Sequence, residues 1–203
     1  MSHDTWFHRI ARVTVAGPLA RTKVKPDQVT TVRLATGLAA AVAIGVGLPV
    51  WQQAGAILFV VSMVLDRADG DLARLTGQAS AAGHRYDLIA DGVANAAVFI
   101  GLGVGMRNGT YGWLALPMGL AAGVAIAAVL RFAMQVEGKK GARAAELPSF
   151  GRFDADDAMV ALPLAIWLGK GELLLAAASI GAPVFCVFFY WLMKRRLTSA
   201  KAD

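Results

Sequence analysis

Six stretches of this chain stay apolar for close to the roughly 20 residues that a helix needs to cross a hydrocarbon core about 30 Å thick. They are Thr30–Val50, Ala54–Leu75, Arg85–Met106, Gly112–Val136, Phe153–Leu168 and Glu172–Met193. Without water to satisfy backbone N–H and C=O groups, segments of this kind fold as helices. Only 17% of the 203 residues are charged and 57% are hydrophobic, where a soluble domain carries about a quarter charged residues. That balance argues against a water-soluble enzyme with one buried core. The expected fold is an all-α integral membrane protein with six transmembrane helices in a single domain. The fifth stretch is the weakest, because its uncharged part, Ala158 to Leu168, is too short to span alone. It reaches full length only by taking in the polar residues Phe153 to Asp157.

The net charge of +6 is explained by where the basic residues fall. Arg9, Arg12, Arg21, Lys23 and Lys25 precede the first span. Lys139, Lys140, Arg143 and Arg152 lie between the fourth and fifth, and Lys194, Arg195, Arg196 and Lys201 follow the sixth. The opposite side holds only Arg107 and Lys170. This bias places both termini in the cytoplasm, and an even number of spans agrees. Anionic lipid then accounts for the basic pI, with no nucleic acid partner needed. Residues 1–27 form a cytoplasmic segment, residues 30–193 the helical bundle and 194–203 a cytoplasmic tail. Within the first segment Trp6, Phe7, Ile10 and Val13 share one helical face, with His8, Arg9 and Arg12 on the other. That pattern predicts an amphipathic helix lying in the interface, ended by Gly17 and Pro18. One cysteine excludes a disulfide framework and a multi-cysteine metal site within the chain.

The acids are distributed just as unevenly. Asp66, Asp69, Asp71, Asp87 and Asp91 all fall within 26 residues, in or at the ends of apolar spans. Ionised carboxylates are costly there and are usually functional. Asp66 and Asp69 share one helix face, as do Asp87 and Asp91. The short link from Thr76 to Gly83 makes their helices antiparallel neighbours, with both pairs near the cytoplasmic end. Four converging carboxylates repel one another unless cations neutralise them. Oxygen-only ligands suit hard ions such as Mg²⁺ or Mn²⁺, and four carboxylates suit two of them, an arrangement used in phosphoryl chemistry. Asp71 lies round the helix from this face and is left out of the site. Gly70 and Ala73 sit beside the Asp66/Asp69 face, Gly83 opens the facing helix, and Arg74 is placed for a phosphate or a carboxylate.

Written in full, residues 66–91 read DRADGDLARLTGQASAAGHRYDLIAD. This resembles the signature of the CDP-alcohol phosphotransferases, D-x2-D-G-x2-A-R-x8-G-x3-D-x3-D, with all eight specified residues at the right spacing. The resemblance implies transfer of a phosphatidyl group from a CDP-linked lipid donor, usually CDP-diacylglycerol, to an acceptor hydroxyl, with release of CMP. It implies that Asp66, Asp69, Asp87 and Asp91 hold two divalent cations and that Asp91 is the catalytic base. By the same resemblance the nucleotide is bound by Asp66, Asp69, Gly70, Ala73, Arg74 and Gly83. The resemblance also implies a homodimer. The site would lie at the cytoplasmic face of the inner (plasma) membrane, so that the acyl chains of the donor remain among membrane lipids.

The acceptor stays open. Arg131 and Arg152 favour an anion, while Asp156 and Asp157 leave room for a cationic or neutral alcohol such as an amino alcohol or serine. The same acids also suit a bland role as first-turn residues behind an Asp154 N-cap. Three further readings of the whole chain stay open beside the leading one. They are a transferase using a soluble CDP-amino alcohol and a lipid acceptor, an intramembrane prenyltransferase and a cation transporter. A purely structural network of the aspartates with Arg67, Arg74 and Arg85 is the simplest alternative for the acids themselves.

Overall fold

The computed structural model describes residues 11–141 and 155–199. Helix α1, Pro26–Val46, opens with Pro26 in its first turn, where the missing N–H costs nothing. The Gln28 side chain accepts from the Lys25 backbone N–H at 2.9 Å and closes that end. At the other end Gly47 adopts φ +82°, and Pro49 starts α2, Pro49–Leu75. Ser80 caps α3, Ala81–Gly105, its hydroxyl accepting from the Gly83 N–H at 3.0 Å. Helices α4, Ala115–Lys140, α5, Ala161–Trp167, and α6, Gly171–Ser199, complete the bundle. All described secondary structure is helical.

Helix α1 is the centre of the arrangement that holds the acids. It packs along both α2 and α3, whereas α2 and α3 scarcely touch each other beyond their linked ends. The expected antiparallel neighbours therefore run antiparallel but are separated by α1. Small residues make this possible. A methyl group at Gly37 would stand 2.7 Å from the Ala94 Cβ and 3.1 Å from the Ser62 Oγ, and one at Gly101 would strike the Ala41 carbonyl. Close backbone approach of this kind is how helices associate where lipid removes the hydrophobic drive.

Helices α4 and α6 run parallel. Near their starts the Thr110 N–H donates to Glu172 Oε1 at 2.8 Å. Near their ends the Phe132 and Tyr190 rings lie 5.0 Å apart, and Val136, Phe189 and Met193 form a small buried cluster. The chain between Lys140 and Gly171 therefore joins opposite ends of the bundle. Its described part is a 3₁₀ segment, Ala155–Val160, running into α5, which packs against α2 and α6.

Five helices among the described residues are long and apolar enough to cross a membrane: Pro26–Val46, Pro49–Leu75, Ala81–Gly105, Gly112–Lys139 and Gly171–Arg195. The expected fifth span is represented only by the shorter apolar helix Ala158–Trp167. Leu162, Pro163 and Ile166 bury its inner side. The outer faces of the long helices are apolar, with Val42, Val124, Ile180 and Val187 all well exposed. A continuous apolar exterior of this kind belongs in lipid.

Of the expected interfacial helix, residues 5–10 lie outside the described part. The remainder does not stop at Gly17 and Pro18. A π-helical turn, Arg12–Ala16, lets the Gly17 N–H reach back to the Arg12 carbonyl, and helix continues through Leu19. A proline in a helix has no N–H to donate and its ring crowds the turn before it, which the wider turn relieves. Ala11 and Ala16 pack on Val29, Ala68 and Leu72, while Val13 is exposed. This segment is thereby tied to the acid-bearing end of α1 and α2.

Candidate active site

Each acid of the motif has a defined partner, and most of them lead to α1. Arg33 is 2% exposed. One guanidinium nitrogen donates to Asp87 Oδ1 at 2.9 Å and to the Asp87 carbonyl at 3.3 Å. The other reaches Asp91 Oδ1 at 2.6 Å and Asp66 Oδ1 at 2.9 Å. One cation from α1 thus holds carboxylates from both α2 and α3. Asp69, also buried, accepts from the Thr30 hydroxyl at 2.7 Å through Oδ2. Thr30 and Arg33 are three residues apart on α1 and so share a face.

The local supports are equally specific. Asn95, one turn beyond Asp91, donates to its Oδ1 at 2.8 Å. Ser62 donates to the Arg33 carbonyl at 3.0 Å, fixing α2 against α1 one turn above the acids. Arg67 adds a longer contact to Asp66 at 3.3 Å. Arg74, half exposed, pairs with Asp71 at 2.6 Å. Asp71 is held there through Oδ1 and stands apart from the cluster around Arg33. A Cβ at Gly70 would stand 3.6 Å from the Arg74 guanidinium, an ordinary contact, so packing within the chain does not itself demand glycine there. A side chain at Gly83 would lie 3.2 Å from the Asp27 carboxylate. Ala73 is half-buried on α2.

The acceptor candidates are more scattered. Arg131 is exposed on α4, one residue beyond Leu130, which packs against Gly92. That puts Arg131 at the depth of Asp91, but among the described residues it forms no ion pair with the motif acids. Arg152 and Asp154 lie outside the described residues. Asp156 and Asp157 fall in the 3₁₀ segment, of which the backbone alone is described at those positions.

The donor chemistry suits a hard cation. The cluster is rich in carboxylate oxygens, and among the described residues Asp69 Oδ1, like Asp71 Oδ2 outside the cluster, is buried with no hydrogen-bond partner. A buried carboxylate oxygen without a donor is one that a hard cation would satisfy. Among the described residues no three acidic or imidazole side chains are grouped so as to enclose an ion by themselves, because the Arg33 guanidinium stands between the two acid pairs. The expected convergence of four carboxylates on one point is thus a convergence of three on an arginine, with the fourth alongside.

The description of the CDP-alcohol phosphatidyltransferases fits the chain over residues 23–194, from just before α1 to the end of the bundle. The chain belongs to this family. Among curated proteins none matches the chain. As a CDP-alcohol phosphatidyltransferase, the protein is a transferase of phospholipid synthesis, acting between a CDP-alcohol donor and an alcohol acceptor. Its apolar helices make it an integral membrane protein. The residues that sequence reasoning missed are Arg33, Thr30 and Asn95. The signal lay in the first span, where Arg33 is a cation among Val, Leu and Ala residues. An intramembrane charge there deserved a partner among the acids.

Proposed function

We propose that this CDP-alcohol phosphatidyltransferase moves a phosphatidyl group from CDP-diacylglycerol to the hydroxyl of a small polar acceptor and releases CMP. The reading rests on the gathering of Asp66, Asp87 and Asp91 within 2.9 Å of one buried cation, at one end of helices that otherwise belong in lipid. Asp66, Asp69, Asp87 and Asp91 would hold two Mg²⁺ or Mn²⁺ ions. When bound, such ions neutralise the pyrophosphate and the charge that develops on it.

The chain's own groups do the rest. Asp91 accepts the proton of the acceptor hydroxyl as its oxygen bonds to the lipid-bearing phosphorus. The bond from that phosphorus to the bridging oxygen breaks, and CMP leaves. Asn95, bonded to one Asp91 oxygen, turns the carboxylate and keeps it from rotating freely. Gly70 and Ala73 leave room for the nucleotide beside α2, with Gly83 doing so on α3 and Arg74 at the rim. Arg131 and Arg152 suit an anionic acceptor, and Asp156 and Asp157 a cationic or neutral one.

The acid end of the bundle would face the cytoplasm, with six crossings, both termini inside and two copies forming a homodimer. The deciding experiment offers labelled CDP-diacylglycerol with a panel of serine, glycerol phosphate, inositol phosphate and amino alcohols, in detergent with Mg²⁺ or Mn²⁺. CMP and one new phospholipid are the expected products. No metal-dependent turnover of CDP-diacylglycerol with any acceptor of the panel would refute the proposal.

A further inference from the structure

The two acid pairs sit on helices that barely meet, so their relative position depends on what lies between them. That element is α1, and its buried polar contribution is small: Thr30 to Asp69, and Arg33 to Asp66, Asp87 and Asp91. We propose that Arg33 is a positioning residue, a three-way pin that sets the Asp66 side of α2 in register with the Asp87/Asp91 side of α3.

Exposure separates this role from that of a mere stand-in for an ion. The Arg33 side chain is 3% exposed, while those of Asp66, Asp87 and Asp91 are 20%, 35% and 38% exposed. The guanidinium is therefore the floor of the cluster, and the carboxylates are its open side. Arg33 takes one oxygen from each acid. Its planar fork fixes the directions of those bonds, which an ammonium cannot do. The pin is itself anchored, since its carbonyl accepts from Ser62 and the Gly37 turn just above presses on Ala94. Removing it takes away the cation that the two acid pairs share and the polar tie it makes between α2 and α3.

The inference rests on the reading of the acids as the transferase site, and the test keeps the two apart. Spin labels are placed at Leu75→Cys and Ile89→Cys, both exposed positions outside the cluster, in a Cys186→Ala background. The distance between them is measured in the full-length, metal-free protein, and Mn²⁺ affinity is measured by electron paramagnetic resonance. Arg33→Met is expected to broaden the distance distribution and weaken Mn²⁺ binding about 10–100-fold, the usual effect of losing a residue that orients metal ligands. Arg33→Lys is expected to fall between, with kcat reduced more than the donor KM. It carries the test alone if Arg33→Met does not fold. An unchanged distance distribution with unchanged Mn²⁺ affinity in either variant overturns the proposal. Tighter Mn²⁺ binding does so too, because it would make Arg33 a competitor of the ions. If the parent protein binds no Mn²⁺ at all, the metal reading fails by itself and the metal-free distances still decide the role of Arg33.

Discussion

In the proposed reaction Asp91 takes the proton of the acceptor, and its place on the open side of the cluster suits that role. It is among the more open of the cluster carboxylates, and both Arg33 and Asn95 grip the same oxygen, Oδ1. Asp91→Asn keeps the shape and removes the proton acceptor. Turnover, followed as CMP release, is expected to fall by at least about 100-fold, with binding of the CDP-lipid largely unchanged. Retained turnover would remove Asp91 from its role. Asp156 and Asp157 pose a separate question, since two acids at the start of a segment are as well explained by helix-end electrostatics. If they meet a cationic or neutral acceptor, replacing both with Asn raises the acceptor KM several-fold and leaves the donor KM alone. An unchanged acceptor KM would assign them to the helix end.

At the scale of elements, the site depends on how closely α1 can lie against α2 and α3. Gly37 is the tightest described point one turn from Arg33, with Ala94 and Ser62 both within 3.1 Å of where a Cβ would stand. Gly37→Val is expected to destabilise the protein by about 1–3 kcal/mol and to lower activity as Arg33 withdraws from the acids. Gly181 in α6 has nothing within 4 Å of such a Cβ. Gly181→Ala should therefore be neutral or gain up to about 1 kcal/mol from helix propensity. Thermal unfolding in detergent, together with activity, checks the pair; equal effects would contradict the packing argument. The same contrast shows what could be read in advance. The long spans were legible because length and apolarity are local properties. The acid motif was legible because helical spacing alone groups Asp66 with Asp69 and Asp87 with Asp91. The insertion of α1 between them was not, since it follows from which small residues face each other across helices. Arg33 has no repeat or spacing to announce it.

For the whole molecule, crossing number and orientation are joined in one argument. His84 lies 2.9 Å from Glu137, so the end of α4 stands at the rim where α3 begins, beside the acids. The start of α6 stands at the other rim, beside Thr110. Whatever path the chain takes after Lys140, it must pass from one rim to the other before α6 starts. Under the proposed six crossings, the short α5 and the 3₁₀ segment before it would belong to the fifth, which no long apolar helix marks among the described residues. The proposed direction rests on charge, since among the described residues Arg107 and Lys170 are the basic residues expected on the rim away from the acids. Single cysteines in a Cys186→Ala background test both points with a membrane-impermeant maleimide applied to intact cells. Asn108→Cys is expected to label, and Gln78→Cys to label only after the membrane is opened; the reverse would invert the protein. Lys201→Cys separates six crossings from five. With six, the tail shares the side of Gln78 and is protected in intact cells. Labelling of Lys201→Cys together with Asn108→Cys would leave the return between α4 and α6 outside the bilayer, and the parallel packing of those two helices would then have to be wrong.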